Sequence, residues 1–582
     1  MKLLRRRPVL PLAAKELVEQ AARRRTYVVR VLYALLFCAC FLFFFREQTA
    51  YAGRDPYSVL GRGRQFFEVL VALQFAGIFI FLPAMMSGVL AYEKERGSLP
   101  LLLLTGLRPW EIVIEKYLGR LVPMFTFLLL SLPFLALAYS FGGVSTSYLC
   151  SGALLLVLAC LQVGAFALMM SSFCAATSQA FIGSYVLGAL FYFSPLLLFL
   201  VFFSVTRRAP DVDEDVLCAF LPPYVFAEAG RRQFGQVLLR SIPIIVSTLV
   251  FLVMARVFVV RRAFATRRSM LLAIFRRLDR FMHRANRLVG GIVLIKDKSP
   301  LPGREPIAWR EVNKKSLGKA SHLARVVCLL SIPVMVIVVL LLAGGGYTSD
   351  AGDLLSVLLM FLGPLALLAL IVPSANAFVS ERTNQSLDLL LVAPLTGREI
   401  VLQKARARRR LAVVLGMVIL MVMAVEAWVE GTPLLSHYVL SSVLSVAIYL
   451  PMCVWVSTWV GLKARTPARA TMAALVVIVL WCVLPIIILA VLDATMSWDM
   501  DDFPQRYLPL LSPMWAPILT EIDGFDEFYH YTPLLPIGVN YLWHGAILIF
   551  VRWLCLARAD RYLGRIPEGK LRLSRPVEER AH

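Results

Sequence analysis

Apolar runs near 20 residues long recur along nearly the whole of this 582-residue chain, and no other feature limits its fold so strongly. Each run is long enough to cross a hydrocarbon core about 30 Å thick at about 1.5 Å per helical residue. Inside a bilayer every backbone N–H and C=O must be satisfied within the protein, so only helices and closed barrels span it. A barrel would read as short alternating segments, whereas these runs are continuous. The sequence therefore predicts an all-α polytopic membrane protein. Only 17% of its residues are charged, against about 25% in a soluble domain.

The runs fall at about 26–45, 67–91, 117–141, 148–173, 178–206 and 237–260, and again at about 322–343, 353–379, 411–429, 437–462, 470–493 and 536–556. This spacing predicts twelve spans arranged as six plus six, with both termini cytoplasmic. The domains expected are a first half over 1–260, a basic linker over 261–305 and a second half over 306–582 that ends in a basic tail. Because each half has an even number of spans, the repeat should be parallel, its halves related by an axis along the membrane normal. Met1 to Arg30 is basic and amphipathic and has no small-residue cleavage site, so it is read as an interfacial helix rather than a removed signal. Pro306-Ile307-Ala308-Trp309-Arg310-Glu311 echoes Pro11-Leu12-Ala13-Ala14-Lys15-Glu16, which places a second interfacial helix at the start of the second half. In both long outer excursions, 207–236 and 494–535, acidic residues collect. Prolines within the runs (Pro83, Pro133, Pro195, Pro364, Pro373, Pro485) are expected to kink helices.

The net charge of +23 does not point to nucleic acid, because the basic stretches lack interleaved stacking aromatics. Residues 261–320 hold 16 Lys and Arg against 4 Asp and Glu, while 494–535 hold 7 acids against the single Arg506. That polarity follows the positive-inside rule. The apolar stripe Leu271, Phe275, Leu278, Phe281, Met282 and Leu288 among arginines predicts a linker helix on anionic headgroups. The ten cysteines form no CxxC pair and mostly sit inside apolar runs, where they act as small hydrophobes.

One charged segment occurs twice at an offset of 288 residues. Glu93, Ser98, Leu99, Leu101, Leu102, Leu103, Leu107, Glu111, Ile112, Val113 and Lys116 recur as Glu381, Ser386, Leu387, Leu389, Leu390, Leu391, Leu395, Glu399, Ile400, Val401 and Lys404. Each copy leaves one span and enters the next about 25 residues later, which is long for a helix–helix connection. Thr396 with Glu399 makes a capping box. Pro109 suits a helix's opening turn, and Glu111 lies near its positive end. These signals predict a short, rigid, partner-facing helix in each copy, with Leu107, Trp110 and Leu395 as apolar contacts. Trp110 equally suits anchoring at the headgroup level. Glu93 and Glu381 suit either ion pairing or solvation at span ends. For Glu426 and Glu430 plain solvation is favoured over a place on a transport pathway, and for Gln74, Gln162 and Asn376 interhelical hydrogen bonding is favoured over substrate contact.

The pattern E-[KR]-E-x-G-[ST]-x-x-x-L-L-x-[TA]-[PG]-L-x-x-x-E-x-x-x-x-K resembles the segment between the second and third spans of ABC-2 type transporter permeases. Six spans per half and an outer excursion before the last span strengthen the likeness. The resemblance implies a coupling element that docks on a separate cytosolic ATP-binding cassette ATPase, present as two copies. The residues it implicates are Glu93, Gly97, Ser98, Leu107, Glu111 and Lys116, and Glu381, Ser386, Pro394, Leu395, Glu399 and Lys404; the residue reading adds Trp110 and Thr396. The chain departs from the pattern at Thr105-Gly106, Pro100 and Gln385, so the two docks are expected to differ. No GxxxxGK[ST] phosphate loop is present, so ATP with magnesium is expected on the partner, and an exporter permease of the cell membrane is implied. A non-transporting scaffold of the same fold remains the alternative. A gradient-driven transporter is the other, although charge is almost absent from the span centres.

Overall fold

A computed structural model describes residues 11–22, 63–104, 107–206, 218–262, 305–314, 348–383, 385–429, 436–495, 508–521 and 534–565, with isolated residues between 27 and 42, at 331–332 and at Gly431. Every regular element among them is helical, and the chain divides into two compact units, 1–267 with 490–498 and 268–489 with 499–582, so that the last turns of the helix Pro467–Thr495 group with the first unit.

The first unit comprises α1 (Pro11–Ala21), α2 (Gly63–Met86), α3 (Gly88–Arg96), α4 (Leu99–Leu104), α5 (Pro109–Ser140), α6 (Thr146–Phe173), α7 (Thr177–Thr206), α8 (Pro222–Ala229), α9 (Phe234–Arg240) and α10 (Ile242–Arg261). Apolar on all sides, α6 is the unit's central helix; α2, α5, α7, α8 and α10 pack around it. Ser145 starts it by accepting from Tyr148 N at 3.2 Å, an N-cap that satisfies one of the orphan amides of the first turn. Phe67, Tyr148 and Phe226 form an aromatic stack between α2, α6 and α8, with Tyr148 and Phe226 stacked at 5.4 Å.

The second unit repeats the plan with α11 (Pro306–Lys314), α12 (Thr348–Thr383), α13 (Leu387–Val392), α14 (Gly397–Val429), α15 (His437–Lys463), α16 (Pro467–Thr495), α17 (Trp515–Glu521), α18 (Leu534–Ala557) and α19 (Ala559–Leu563). Its central helix is α15, with α12, α14, α17 and α18 around it and an N-cap at Ser436, which accepts from Val439 N at 3.3 Å. At Gly461 the α15 and α12 backbones approach so closely that an added Cβ would lie 2.2 Å from the Ala375 carbonyl oxygen. Small residues permit such approach between membrane helices. A polar network binds the short elements at 508–521 to α15 and α18. Tyr541 Oη lies 2.7 Å from the hydroxyls of both Ser441 and Ser445, and Ser441 meets Thr520 at 2.6 Å. Asn540 Nδ2 donates to the Leu510 and Ser512 carbonyls at 2.6 and 3.2 Å.

Nine helices among the described residues are long and apolar enough to cross a membrane, each at an expected span. The span expected at 178–206 appears as the 30-residue α7. Those expected at 26–45 and 322–343 fall largely outside the described residues, as do the linker helix and Glu430. All six prolines expected to kink helices lie inside helices. Gln162 forms the expected interhelical bonds, donating to Phe220 O at 2.9 Å and Ser247 Oγ at 2.7 Å and accepting from Tyr192 Oη at 2.7 Å. Gln74 differs, being buried with neither side-chain polar atom hydrogen-bonded among the described residues. The expectation of solvation at Glu426 is wrong. That carboxylate is 1% exposed and accepts from Tyr438 Oη at 2.8 Å and from Ser356 Oγ, because α12 and α15 supply hydroxyls that desolvate and satisfy it together.

Candidate functional site: two charged elbows

The repeated segment folds as an elbow in each unit, and its order of elements differs from the sequence expectation. The capped helices that begin at Pro109 and Gly397 are not short. They run on as the 32-residue α5 and the 33-residue α14, because the long apolar run that follows each cap must satisfy its backbone as helix, which in α5 continues through Pro123 and Pro133. The short helices are instead the Leu-rich α4 and α13, six residues each.

Each elbow opens with a left-handed turn. Gly97 has φ +71° and its counterpart Gln385 has φ +52°. Ser98 N donates to Glu93 O at 3.0 Å and Gly97 N to Lys94 O at 3.1 Å; Ser386 N donates to Glu381 O at 3.0 Å and Gln385 N to Arg382 O at 3.2 Å. This is a Schellman cap, which favours glycine at the left-handed position. In the second elbow a non-glycine residue holds the same turn.

The repeated polar residues close on one another. Ser98 Oγ donates to the Glu93 carboxylate, as Ser386 Oγ does to that of Glu381. Lys116 Nζ lies 3.5 Å from Glu93, and Lys404 Nζ 3.2 Å from Glu381. The ion pair is therefore the outcome at both glutamates, and it ties the elbow's entry to the first turns of α5 or α14. The second site is drier, its paired side chains being 1% and 10% exposed against 9% and 23% in the first. Lys404, with a 1% exposed side chain, also donates to Ala377 O at 2.8 Å and lies 3.8 Å from Glu311. Arg310 pairs with Glu381 at 3.1 Å, and Arg408 with Glu311 at 3.7 Å. Charges buried this deeply are tolerated when paired and hydrogen-bonded.

Further repeated contacts knit each elbow to its unit. Lys94 donates to the Ser172 and Cys174 carbonyls at the end of α6, and Arg382 to Ala464 O at 2.9 Å at the end of α15. Glu115 accepts from Leu12 N at 2.6 Å and Ala13 N at 3.2 Å, and so caps α1. Gln403, at the matching place, accepts from Ile307 N at 3.0 Å and caps α11. Glu111 accepts from Arg108 N at 2.9 Å. The box read at Thr396 and Glu399 is reciprocal, Thr396 N donating to Glu399 at 2.8 Å and Glu399 N to Thr396 Oγ1 at 3.3 Å.

Of the apolar residues singled out from sequence, Leu107 and Leu395 pack partly buried against the cores. Trp110 is half-buried, with the Arg256 guanidinium 5.5 Å from its ring centre. Pro394 is exposed. The apolar residues most open on the elbows are others: Leu101 is 65% and Leu104 78% exposed on α4, and at the same offset Leu389 is 76% and Val392 84% exposed on α13. The available signal was their survival in the repeat, Leu101 and Leu389 being identical. Leucines in an apolar run do not announce their exposure. No group of three or more His, Cys, Asp or Glu side chains converges among the described residues.

No curated protein matches the chain. Residues 356–546, from within α12 to within α18 and including the second elbow, match the family described as ABC-2 family transporter protein. The chain is a multi-pass, all-α membrane protein whose residues 356–546 are similar to the ABC-2 family transporter proteins.

Proposed function

We propose that the chain is the membrane-spanning subunit of an ATP-driven exporter, with two permease halves joined in one polypeptide. The family generally works with a separate ATP-binding subunit. Here two copies of a cytosolic ATPase would dock, one on segment 92–116 and one on segment 381–405. ATP and magnesium would be bound, and ATP hydrolysed, by that partner. The termini and both elbows would face the cytoplasm of a cell membrane, and the basic linker would lie on anionic headgroups.

The observation that carries this reading is the pair of exposed apolar residues at matching positions on two braced helices. Burying a large aliphatic side chain is worth about 1.5–3 kcal/mol, so Leu101 with Leu104, or Leu389 with Val392, offers a partner about 3–6 kcal/mol per elbow. Their setting among Glu93, Lys116, Glu381 and Lys404, at the charged ends of spans, sets them apart from apolar residues along the span walls. Since α4 connects to α5 and α13 to α14 within a few residues, motion of a docked partner would be delivered to a helix about 48 Å long at 1.5 Å per residue.

Cross-linking tests this. A cysteine at Leu104 or Val392 should capture a cytosolic ABC ATPase, while one at Leu249, exposed in the middle of α10, should not. Equal capture at all three sites, or at none, would defeat the proposal.

A further inference from the structure

The second elbow is held from outside by a distant part of the chain, Ala559–Arg565. Helix α13 has six residues, too few to be stable on their own, and its last carbonyls lack helical donors. Arg565 supplies donors. Its guanidinium bonds to the Leu391 and Leu395 carbonyls and, at 3.2 Å, to that of Ala393. One planar fork thus spans the whole connection from α13 to α14, a geometry that arginine's fixed donors suit and lysine's ammonium does not. At the far side Asp560 Oδ1 accepts from Gly397 N at 3.1 Å. A Cβ on Gly397 would lie 2.2 Å from that oxygen, so the contact needs glycine there.

The segment that carries both residues is itself anchored. Ala559 is 0% and Leu563 4% exposed, in one apolar cluster with Leu387, Leu390, Ile400 and Val401. Arg382, which caps α15, also donates to Tyr562 O at 2.7 Å. After α19, Gly564 turns left-handed at φ +78° and Arg565 N donates to Asp560 O at 2.9 Å. That turn brings Arg565 back toward the elbow.

We infer that Asp560 and Arg565 are positioning residues, and that Ala559–Arg565 is a latch which sets the orientation of Leu389 and Val392. The latch stands on these contacts alone; its consequence for coupling rests on the docking proposed above. Among the described residues the elbow's own charged cluster fixes the entry at Glu381 and the start of α14 at Lys404, and the latch fixes what lies between them.

Amide hydrogen exchange on the full chain in lipid nanodiscs tests it without any partner. Arg565→Ala should speed exchange across 387–400 by about tenfold or more, a shift of about 1.4 kcal/mol in local opening. Peptides over 99–104 should be unchanged. Arg565→Lys should recover part of the protection, and Gly397→Ala, which displaces the Asp560 carboxylate without touching Arg565, should raise exchange over the same peptide. Unchanged exchange at 387–400 in both Arg565→Ala and Gly397→Ala would overturn the latch, as would equal acceleration over 99–104. With the ATPase added, Arg565→Ala should raise the chain concentration needed for half-maximal stimulation, and Arg565→Lys should restore part of it. An ATPase that ignores even the unaltered chain would defeat the docking and leave the exchange result to decide the latch.

Discussion

The two elbows share one Glu–Ser–Lys lock in two settings, which permits a matched double-mutant test. The perturbations are Lys404→Met with Glu381→Gln, singly and together, and Lys116→Met with Glu93→Gln. Breaking a buried pair costs about 3–5 kcal/mol when the remaining charge is orphaned. After Lys404→Met, Glu381 would still have Arg310 at 3.1 Å and the Ser386 hydroxyl. The cost should therefore sit below that range, at about 2–3 kcal/mol, most of it from a charged hydrogen bond at 3.2 Å and the bond to Ala377 O. A coupling energy of about 2 kcal/mol is expected between Lys404 and Glu381. In the first elbow the pair is longer, at 3.5 Å, and the Glu93 side chain is 23% exposed. Solvent then screens the charges, and coupling should fall to about 1 kcal/mol. Unfolding in mixed detergent–SDS micelles, followed by helicity, supplies the free energies. First-elbow coupling equal to or above the second, or a Lys404→Met cost under about 0.5 kcal/mol, would refute the reasoning.

Three further outcomes are expected. Gln385→Gly should stabilise the chain by up to about 1 kcal/mol in the same titration, since relief of the left-handed strain exceeds glycine's entropic cost; Gly97→Gln should destabilise it. Gly461→Ala should cost about 3 kcal/mol, because the obstacle 2.2 Å away is the backbone oxygen of Ala375 rather than a movable side chain. Glu426→Gln should be nearly neutral by thermal unfolding, while Glu426→Leu should cost about 1–3 kcal/mol by removing the carboxylate that accepts from the Tyr438 and Ser356 hydroxyls.

What was legible in the sequence was what local chemistry decides. The span positions follow from apolar run length, and the cap at Thr396 and Glu399 from residues three apart. The lock was legible as a pattern, since Glu93 with Lys116 and Glu381 with Lys404 kept register across 288 residues, although pattern alone did not reveal that these groups face each other. The expectation of a short capped helix fails because a cap marks where a helix starts and not where it ends, and even Pro123 and Pro133 do not end α5. The exposure of Leu104 and Val392 is set by which face of a six-residue helix the bundle covers, which no local signal encodes. Long-range partners were out of reach for the same reason. Glu426 meets Ser356 across 70 positions, and Arg565 meets Leu395 across 170.

Docking at the two exposed apolar pairs is tested most directly by co-purification of the ATPase with the tagged chain, unaltered and carrying Leu101→Glu with Leu104→Glu, Leu389→Glu with Val392→Glu, or all four. Each double variant should lose about half of the bound ATPase and the fourfold variant nearly all of it, with unfolding unchanged because these side chains touch little of their own unit. Undiminished ATPase on a folded fourfold variant would contradict the claim.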